Sequence, residues 1–310
     1  MQFSRRVAFP VMTFRVGNVC RARNQSNKLS TGRNAEYCLQ SVQKQDYENY
    51  LWLLLLPENV RSSVTALRAF NIELATVKDV VSTQEIGKMR MHFWKESLND
   101  TYQRNPPHHP VAEELYEAIQ KHNLSKQWLL RLVEERERTL EDRPFSSLEE
   151  VETYAEKTAS SILYLTLEIF GVRDIHADHA ASHVGKAQGL TTLIRSVPYH
   201  AARRKVLLPQ DLLITHNVSQ ESIIRGRDEQ AIKEVIYDLA SHAHSHVLKA
   251  RSLKKSVPKE GSPALLALTP IDRYLTRLQK MNFDLFNPVL QRRDAFLPWA
   301  LWWKKLQRTY

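Results

Sequence analysis

The chain has 310 residues, 43% hydrophobic and 25% charged, which is enough to enclose one sizeable core, so we expect a single folded domain. Its formal net charge is +10, but the first 35 residues carry seven Lys or Arg and no Asp or Glu. The rest of the chain keeps 37 basic residues against 34 acidic ones, a net charge of +3. This near balance argues against nucleic acid as a partner, despite a sequence pI of about 9.5.

The composition of residues 1–35 is typical of a mitochondrial transit peptide. The segment contains Arg and Ser, lacks acidic residues and has no continuous apolar stretch of the kind found in secretory signals. The alternative is a basic, unstructured arm. The two cysteines of the chain, Cys20 and Cys38, lie in or near this segment, so we expect no disulfide and no cysteine metal site in the domain.

The pattern of the remaining chain predicts an all-α fold. Glycine is scarce, at 8 residues, and apolar residues recur at three- and four-residue steps. The longest apolar run, residues 50–57, is far shorter than a membrane span. We expect helices over residues 35–57, 58–82, 83–103, 111–123, 125–141, 147–171, 176–205 with a break or end near Pro198, 219–253 and 263–286.

The last segment, residues 296–310, combines aromatic and basic side chains. If it is helical after Pro298, this composition favours an anionic lipid interface. The alternative is a terminal helix that docks its tryptophans on the bundle. The candidate membrane-contact residues are Trp299, Trp302, Trp303, Lys304 and Lys305.

Histidines occur in two groups. His176, His179 and His183 share one predicted helix with Asp178 at spacings that could place metal ligands on one face. The segment is rich in alanine, however, and we interpret these histidines as structural, so we expect no metal and no cofactor. In HAHSH, residues 242–246, the three histidines point in different directions on a helix, and we expect them at the surface or partly buried.

Four segments in order give a family resemblance: LLPENVRSSVTALRAF, HFWKESL, YAEKTASSILYL and GKAQGLTTLIRSVPYHAARRKVLLPQDLL. From about residue 37 to residue 290 the chain resembles the squalene/phytoene synthase family. The resemblance implies the terpenoid-synthase fold, an all-α bundle around a central prenyl pocket. We therefore divide the chain into a leader (1–35), a squalene/phytoene synthase-like domain (36–295) and a tail (296–310).

The same resemblance implies a degenerate prenyl-diphosphate site. Enzymes of the family hold Mg²⁺ through carboxylates four residues apart on two facing helices, and the metal grips the substrate diphosphate. The first motif falls on residues 75–79, where Ala75 and Thr76 replace acids and Asp79 remains. The second falls on Ser196 and His200. We therefore expect a pseudoenzyme without catalytic residues.

Basic residues remain where the family meets diphosphate oxygens. Guanidinium groups match phosphate geometry, so these residues are candidates for binding a phosphate or a lipid head group. The alternative is a solvated basic turn or a partner surface. The residues are Arg195, Arg203, Arg204 and Lys205.

Within the family, FNIELATVKD, HADHAASHVGKAQG and the tryptophan-rich tail are similar to a mitochondrial branch that assists assembly of respiratory complex I. That similarity implies a non-catalytic assembly factor, peripheral on the matrix face of the inner membrane and acting at an early membrane-arm stage. The implied partners are complex I subunits or assembly intermediates and the inner-membrane lipid surface. The alternative is a prenyl-lipid or isoprenoid diphosphate binding protein, or a transferase, in quinone or lipid metabolism.

Overall fold

The structure is a computed structural model that describes residues 32–141, 143–226, 230–307 and 309–310. Within these ranges all regular secondary structure is helical, so the all-α prediction is confirmed. Residues 1–31 of the expected transit peptide lie outside the described residues. The leader therefore stays a prediction.

The helices follow one another with short connections. In chain order they are α1 (32–45), α2 (Tyr47–Leu53), α3 (Glu58–Val80), α4 (Gln84–Tyr102), α5 (Pro110–His122), α6 (Lys126–Arg138), α7 (Leu148–Ala155), a π-helical turn (Glu156–Ser160), α8 (Ser161–Ile169), α9 (Ile175–Ala201), α10 (Gln210–Thr215), α11 (Gln220–Ile224), α12 (Gln230–Ser252), two 3₁₀ turns (Leu253–Lys255 and Lys259–Gly261), α13 (Ser262–Leu265), α14 (Leu268–Lys280), α15 (Pro288–Gln291) and α16 (Leu297–Leu306).

A proline opens one helix and a glycine closes another. Pro110 opens α5 at a position whose N–H would have no helical partner. Gly171 adopts a left-handed conformation (φ +72°) after α8, and the next amide, that of Val172, donates to the carbonyl of Leu167 at 2.9 Å. This closure satisfies carbonyls that the end of a helix leaves free, and it agrees with the end of the helix predicted over 147–171.

Three predicted helices are divided in the structure. The first breaks at Asp46, whose backbone leaves the helical region (φ −138°, ψ 61°). The segment 219–253 forms α11 and α12, with Gly226 left-handed between them, and the segment 263–286 forms α13 and α14 and then a turn. The predicted helices ran through Asp46 and Gly226, the residues at which the first two breaks occur.

The long helix α9 occupies the centre of its half of the bundle. It packs against α12 on one side and against α7 and the π-helical turn on the other. The helices approach closely at Gly185, where an added Cβ would lie 2.2 Å from Oγ of Ser160. Pro198 lies within the last turn of α9, and the helix ends at Ala201, close to the predicted end.

The buried side chains form two large apolar clusters. One surrounds α9 and α12, and the other joins α2 and α3 to α4, α5 and α6. Leu297 and Leu301 of α16 belong to the second cluster, so the C-terminal helix is part of the fold. Among the helices of the described ranges, none combines the length and hydropathy needed to cross a bilayer.

Candidate functional site

The first candidate segment is the last turns of α3. Ala75 and Thr76 are half-buried, and the Thr76 hydroxyl donates to the backbone carbonyl of Ile72 at 2.9 Å. Asp79 is exposed at the end of the helix. The segment therefore presents one carboxylate, and Thr76 uses its hydroxyl within its own helix.

The second candidate segment is the end of α9. The Ser196 hydroxyl donates to the carbonyl of Leu193 at 2.8 Å, and the ring of His200 lies edge-on to Tyr199 at 5.2 Å. Both candidate side chains are half-buried. No group of three or more His, Cys, Asp or Glu side chains within the described ranges has the arrangement of a metal site.

Arg195 lies between three elements. Its guanidinium donates to a carboxylate oxygen of Glu48 on α2 at 2.6 Å and lies 5.2 Å from the ring centre of Tyr274 on α14. Burial raises the pKa of Tyr274 to about 12, although the positive charge of Arg195 acts in the opposite direction. Arg195 therefore links α9 to α2 and α14.

The other candidate basic residues make different contacts. Arg203 lies over the ring of Tyr199 at 3.6 Å and donates to its carbonyl oxygen. Arg204 has a left-handed backbone (φ +56°) and forms an ion pair with Glu221 on α11 at 3.6 Å. Lys205 is exposed. The sequence grouped these residues with Arg195, whereas the contacts divide them between α11, their own turn and the α2–α14 side.

A polar cluster that the sequence did not predict lies between α7, α9 and α12. Nδ1 of His183 and Nδ1 of His246 are 2.9 Å apart, and Nε2 of His246 lies 3.2 Å from a carboxylate oxygen of Glu152. The hydrogen bond from His246 is the main cause that lowers the pKa of Glu152. The expectation of surface or partly buried histidines holds for His242 and His244 but is wrong for His246, which is 5% exposed because it faces α9.

A second polar cluster surrounds Glu156, which lies in the π-helical turn directly after α7. Burial would raise the pKa of Glu156, but hydrogen bonds from Tyr164 (2.6 Å) and Ser182 (2.7 Å) lower it. Arg131 adds a positive charge 3.8 Å away. The signal in the sequence was the pair Glu152 and Glu156, which are four residues apart. Both carboxylates already have partners in the protein.

The C-terminal helix contradicts one of the two sequence interpretations of the tail. Leu297 and Leu301 dock it on the bundle, whereas Trp299, Trp302 and Trp303 are exposed. The alternative in which the tryptophans dock the helix is therefore wrong. The leucines take that role because they share the inward side of the helix.

The chain matches known proteins over most of its length. Residues 42–302 match the family model described as squalene/phytoene synthase. The chain is 52% identical over 274 residues to the NADH dehydrogenase (ubiquinone) complex I, assembly factor 6 of Homo sapiens, covering 88% of this chain and 82% of the human protein. It is 48% identical over 302 residues to the protein of the same name from Bos taurus, covering 94% and 91%.

A solved structure gives the fold. The chain matches a dehydrosqualene synthase in complex with ligand with a TM-score of 0.78 at 16% identity, over 89% of this chain and 97% of that one. The predicted terpenoid-synthase bundle is thereby confirmed. At this identity the likeness concerns the fold and carries no chemistry. The extent of the family match and the identities above 40% lead to one conclusion: the chain belongs to the squalene/phytoene synthase family.

Proposed function

We propose that this protein is a non-catalytic assembly factor for mitochondrial respiratory complex I. The observation that carries the proposal is the 52% identity, over 88% of this chain, to a protein named for that role. Its partners would be complex I subunits or assembly intermediates. We further propose that it acts at an early stage of the membrane arm, on the matrix face of the inner membrane.

The residues at the two candidate segments support a role without prenyl transfer. That chemistry needs several carboxylates to hold Mg²⁺ against a diphosphate. Asp79 is the one acid among the five candidate positions, and the others are Ala75, Thr76, Ser196 and His200. A transferase in quinone or lipid metabolism would need metal ligands that these positions do not supply.

Two features support the proposed location. The acid-poor, arginine-containing leader is typical of import into mitochondria. The exposed tryptophans of α16, with Lys304 and Lys305 beside them, are typical of a protein that rests on an anionic membrane surface. A peripheral position needs no membrane-spanning helix.

Rescue of null cells tests the proposal. We expect the wild-type protein to restore assembled complex I on a native gel, and an Asp79→Ala/Arg195→Ala variant to restore it equally at the same protein level. Loss of rescue by the variant alone would show that the remnant site still binds something. Failure of the wild type to restore complex I would overturn the proposed function.

A second measurement tests the absence of catalysis. Purified protein lacking the leader is mixed with Mg²⁺ and farnesyl or geranylgeranyl diphosphate, and the release of diphosphate is followed. We expect no release above that of the Asp79→Ala variant. Turnover that depends on Mg²⁺ and on Asp79 would contradict the proposal and favour the transferase.

A further inference from the structure

The helix α16 is apolar on its buried side and also on its exposed side, unlike an ordinary surface helix. Successive residues of an α-helix are turned by about 100°, so Leu297 and Leu301 point to one side and residues 299, 302, 303 and 306 to the other. The first side is buried in the core. On the opposite side, the exposed fractions are 70% for Trp299, 46% for Trp302, 52% for Trp303 and 61% for Leu306.

The exposed side is held in a fixed position. Besides the two buried leucines, Nζ of Lys305 donates to the carbonyl of Leu55 at 2.7 Å. Beyond the helix, Tyr310 is 1% exposed, and its hydroxyl lies 3.4 Å from the carbonyl oxygen of Ala250. The tryptophans are therefore displayed by a helix fastened at both ends, and the fold does not use them for its own packing.

Lysine side chains line a cavity beside α16. The cavity, of about 300 Å³, is lined by Lys304 and Lys305 of α16 and by Lys259 of the 3₁₀ turn Lys259–Gly261. Ser262 and Thr309 add hydroxyl groups, and Glu260 contributes one carboxylate. With three lysines against one acid, the cavity favours an anionic group.

The neighbourhood of Lys304 adds to this charge. Its pKa is lowered by burial and then by the nearby charges of Arg251 and Lys254. Asp272 acts in the opposite direction, but the Arg251 guanidinium already forms an ion pair with it at 2.7 Å. The helix Leu297–Leu306 itself contains no acidic residue. The basic groups therefore retain a net attraction for an anion.

We propose that the outward side of α16 and the lysine-lined cavity beside it form one binding surface for anionic phospholipid at a bilayer. Trp299, Trp302 and Trp303 would lie at the level of the head groups, where indole rings are favoured. Lys305 projects from one flank of the helix and Lys304 lies nearer the docked side, and both line the cavity. In this proposal the long lysine side chains hold a lipid phosphate in the cavity, while the tryptophans contact the bilayer beside it. The charge selects an anionic bilayer rather than a neutral one.

This inference deepens the proposed membrane location and rests on it. It adds the lysine-lined cavity beside α16 as the place where the lipid phosphate binds. A docked protein partner is the alternative occupant, and it would show no preference for lipid charge.

Vesicle flotation of the full chain without its leader tests the surface. The probes are phosphatidylcholine vesicles with and without phosphatidylglycerol. We expect binding to the anionic vesicles alone, weakened at high salt because the attraction is electrostatic. Since each basic residue near the bilayer contributes roughly a fivefold factor, Lys259→Gln/Lys304→Gln/Lys305→Gln should weaken binding roughly a hundredfold.

Variants of the aromatic side provide a second arm. Trp299→Gln/Trp303→Gln should reduce binding at least tenfold, while circular dichroism and the melting temperature stay unchanged, because these side chains are exposed. The matched control is on α4, where Met89→Gln/Phe93→Gln combined with Lys88→Gln/Arg90→Gln removes exposed apolar and basic groups elsewhere. That variant should bind like the wild type.

The outcomes separate this inference from the proposed function. Equal binding by the α16 variants, or no binding by the wild type, would overturn the membrane surface even if the protein still rescues complex I. Normal vesicle binding with no rescue would instead overturn the assembly role and leave the surface in place.

Discussion

His183 and His246 bring α9 and α12 together through their ring nitrogens, with the two Nδ1 atoms 2.9 Å apart. One of these atoms donates and the other accepts. Nε2 of His246 is engaged by Glu152, 3.2 Å away. Because His246 sits between an acid and the second imidazole, it can carry a proton on both nitrogens only when His183 is neutral.

The pH dependence of stability follows from this arrangement. The pKa of His183 is lowered to about 4, first by burial and then by the charges of His246, His179, Lys249 and Lys186. The unfolded chain, with a pKa near 6.5, binds a proton more readily, so stability is present above pH 6.5 and declines as the pH falls towards 4. The pKa of Glu152, the acid of the cluster, is lowered from its ordinary value of 4.5, so protonation of this carboxylate adds a further loss of stability below about pH 4.5.

We expect a stability loss of about 2 kcal/mol between pH 7 and pH 4.5 from this site, discounted from the full pKa difference because the ring is partly solvated. Urea unfolding at several pH values measures it. His183→Gln, which cannot titrate, should reduce the slope, and the exposed control His244→Gln should leave it unchanged. An identical pH profile for His183→Gln and wild type would refute the assignment.

The close contact at Gly185 predicts a second effect. Alanine would normally stabilise the interior of a helix by up to about 1 kcal/mol relative to glycine. Here the added Cβ would lie 2.4 Å from the backbone nitrogen of Ser160, so two helices must separate. We expect Gly185→Ala to lower the free energy of unfolding by about 3 kcal/mol.

A glycine on α4 gives the matched control. A Cβ at Gly87 would lie 3.3 Å from a flexible methyl group of Leu140, which can move. Gly87→Ala should therefore change the unfolding free energy by less than about 1 kcal/mol. Equal effects of the two substitutions in urea unfolding would mean that the α9 contact with Ser160 is looser than the structure has it.

The sequence could predict the elements that depend on local chemistry. Pro106 and Pro107 marked the end of the helix predicted over 83–103, and Gly171 marked the end of the one predicted over 147–171, because the backbone limits of proline and the freedom of glycine need no distant contact. The burial of His246 could not be predicted in this way, since it depends on which side of α12 meets α9. The ion pair of Arg195 with Glu48 joins residues 147 positions apart, and no local pattern encodes it. The family resemblance predicted the fold, whereas the contacts between distant residues became known only from the structure.

The Arg195–Glu48 pair should contribute little to stability. The Arg195 side chain is 44% exposed and that of Glu48 is 28% exposed, and exposed ion pairs contribute about 0–1 kcal/mol. A double-mutant cycle with Arg195→Ala and Glu48→Ala should give a coupling energy below about 1 kcal/mol that falls with added salt. A much larger coupling energy would indicate that the ion pair, rather than the surrounding packing, holds α9 against α2.

Arg68 on α3 presents the opposite case. It is 2% exposed and lies 5.1 Å from the ring centre of Trp52. Among the described residues, Nε and Nη2 of Arg68 have no hydrogen-bond partner. Burial lowers the pKa of the guanidinium, and the charge of Asp46 acts against this. A buried donor without a partner costs about 1–3 kcal/mol.

We therefore expect Arg68→Met to leave the stability unchanged or to raise it by about 1 kcal/mol, because methionine fills a similar length and packs well on an indole ring. Arg68→Ala should lower stability by about 2–4 kcal/mol, since it leaves a cavity beside Trp52. Thermal and urea unfolding compare the two variants. If Arg68→Met proves as destabilising as Arg68→Ala, the charge of Arg68, rather than its volume, stabilises this part of the core, and its attraction to Asp46 would be the first interaction to measure.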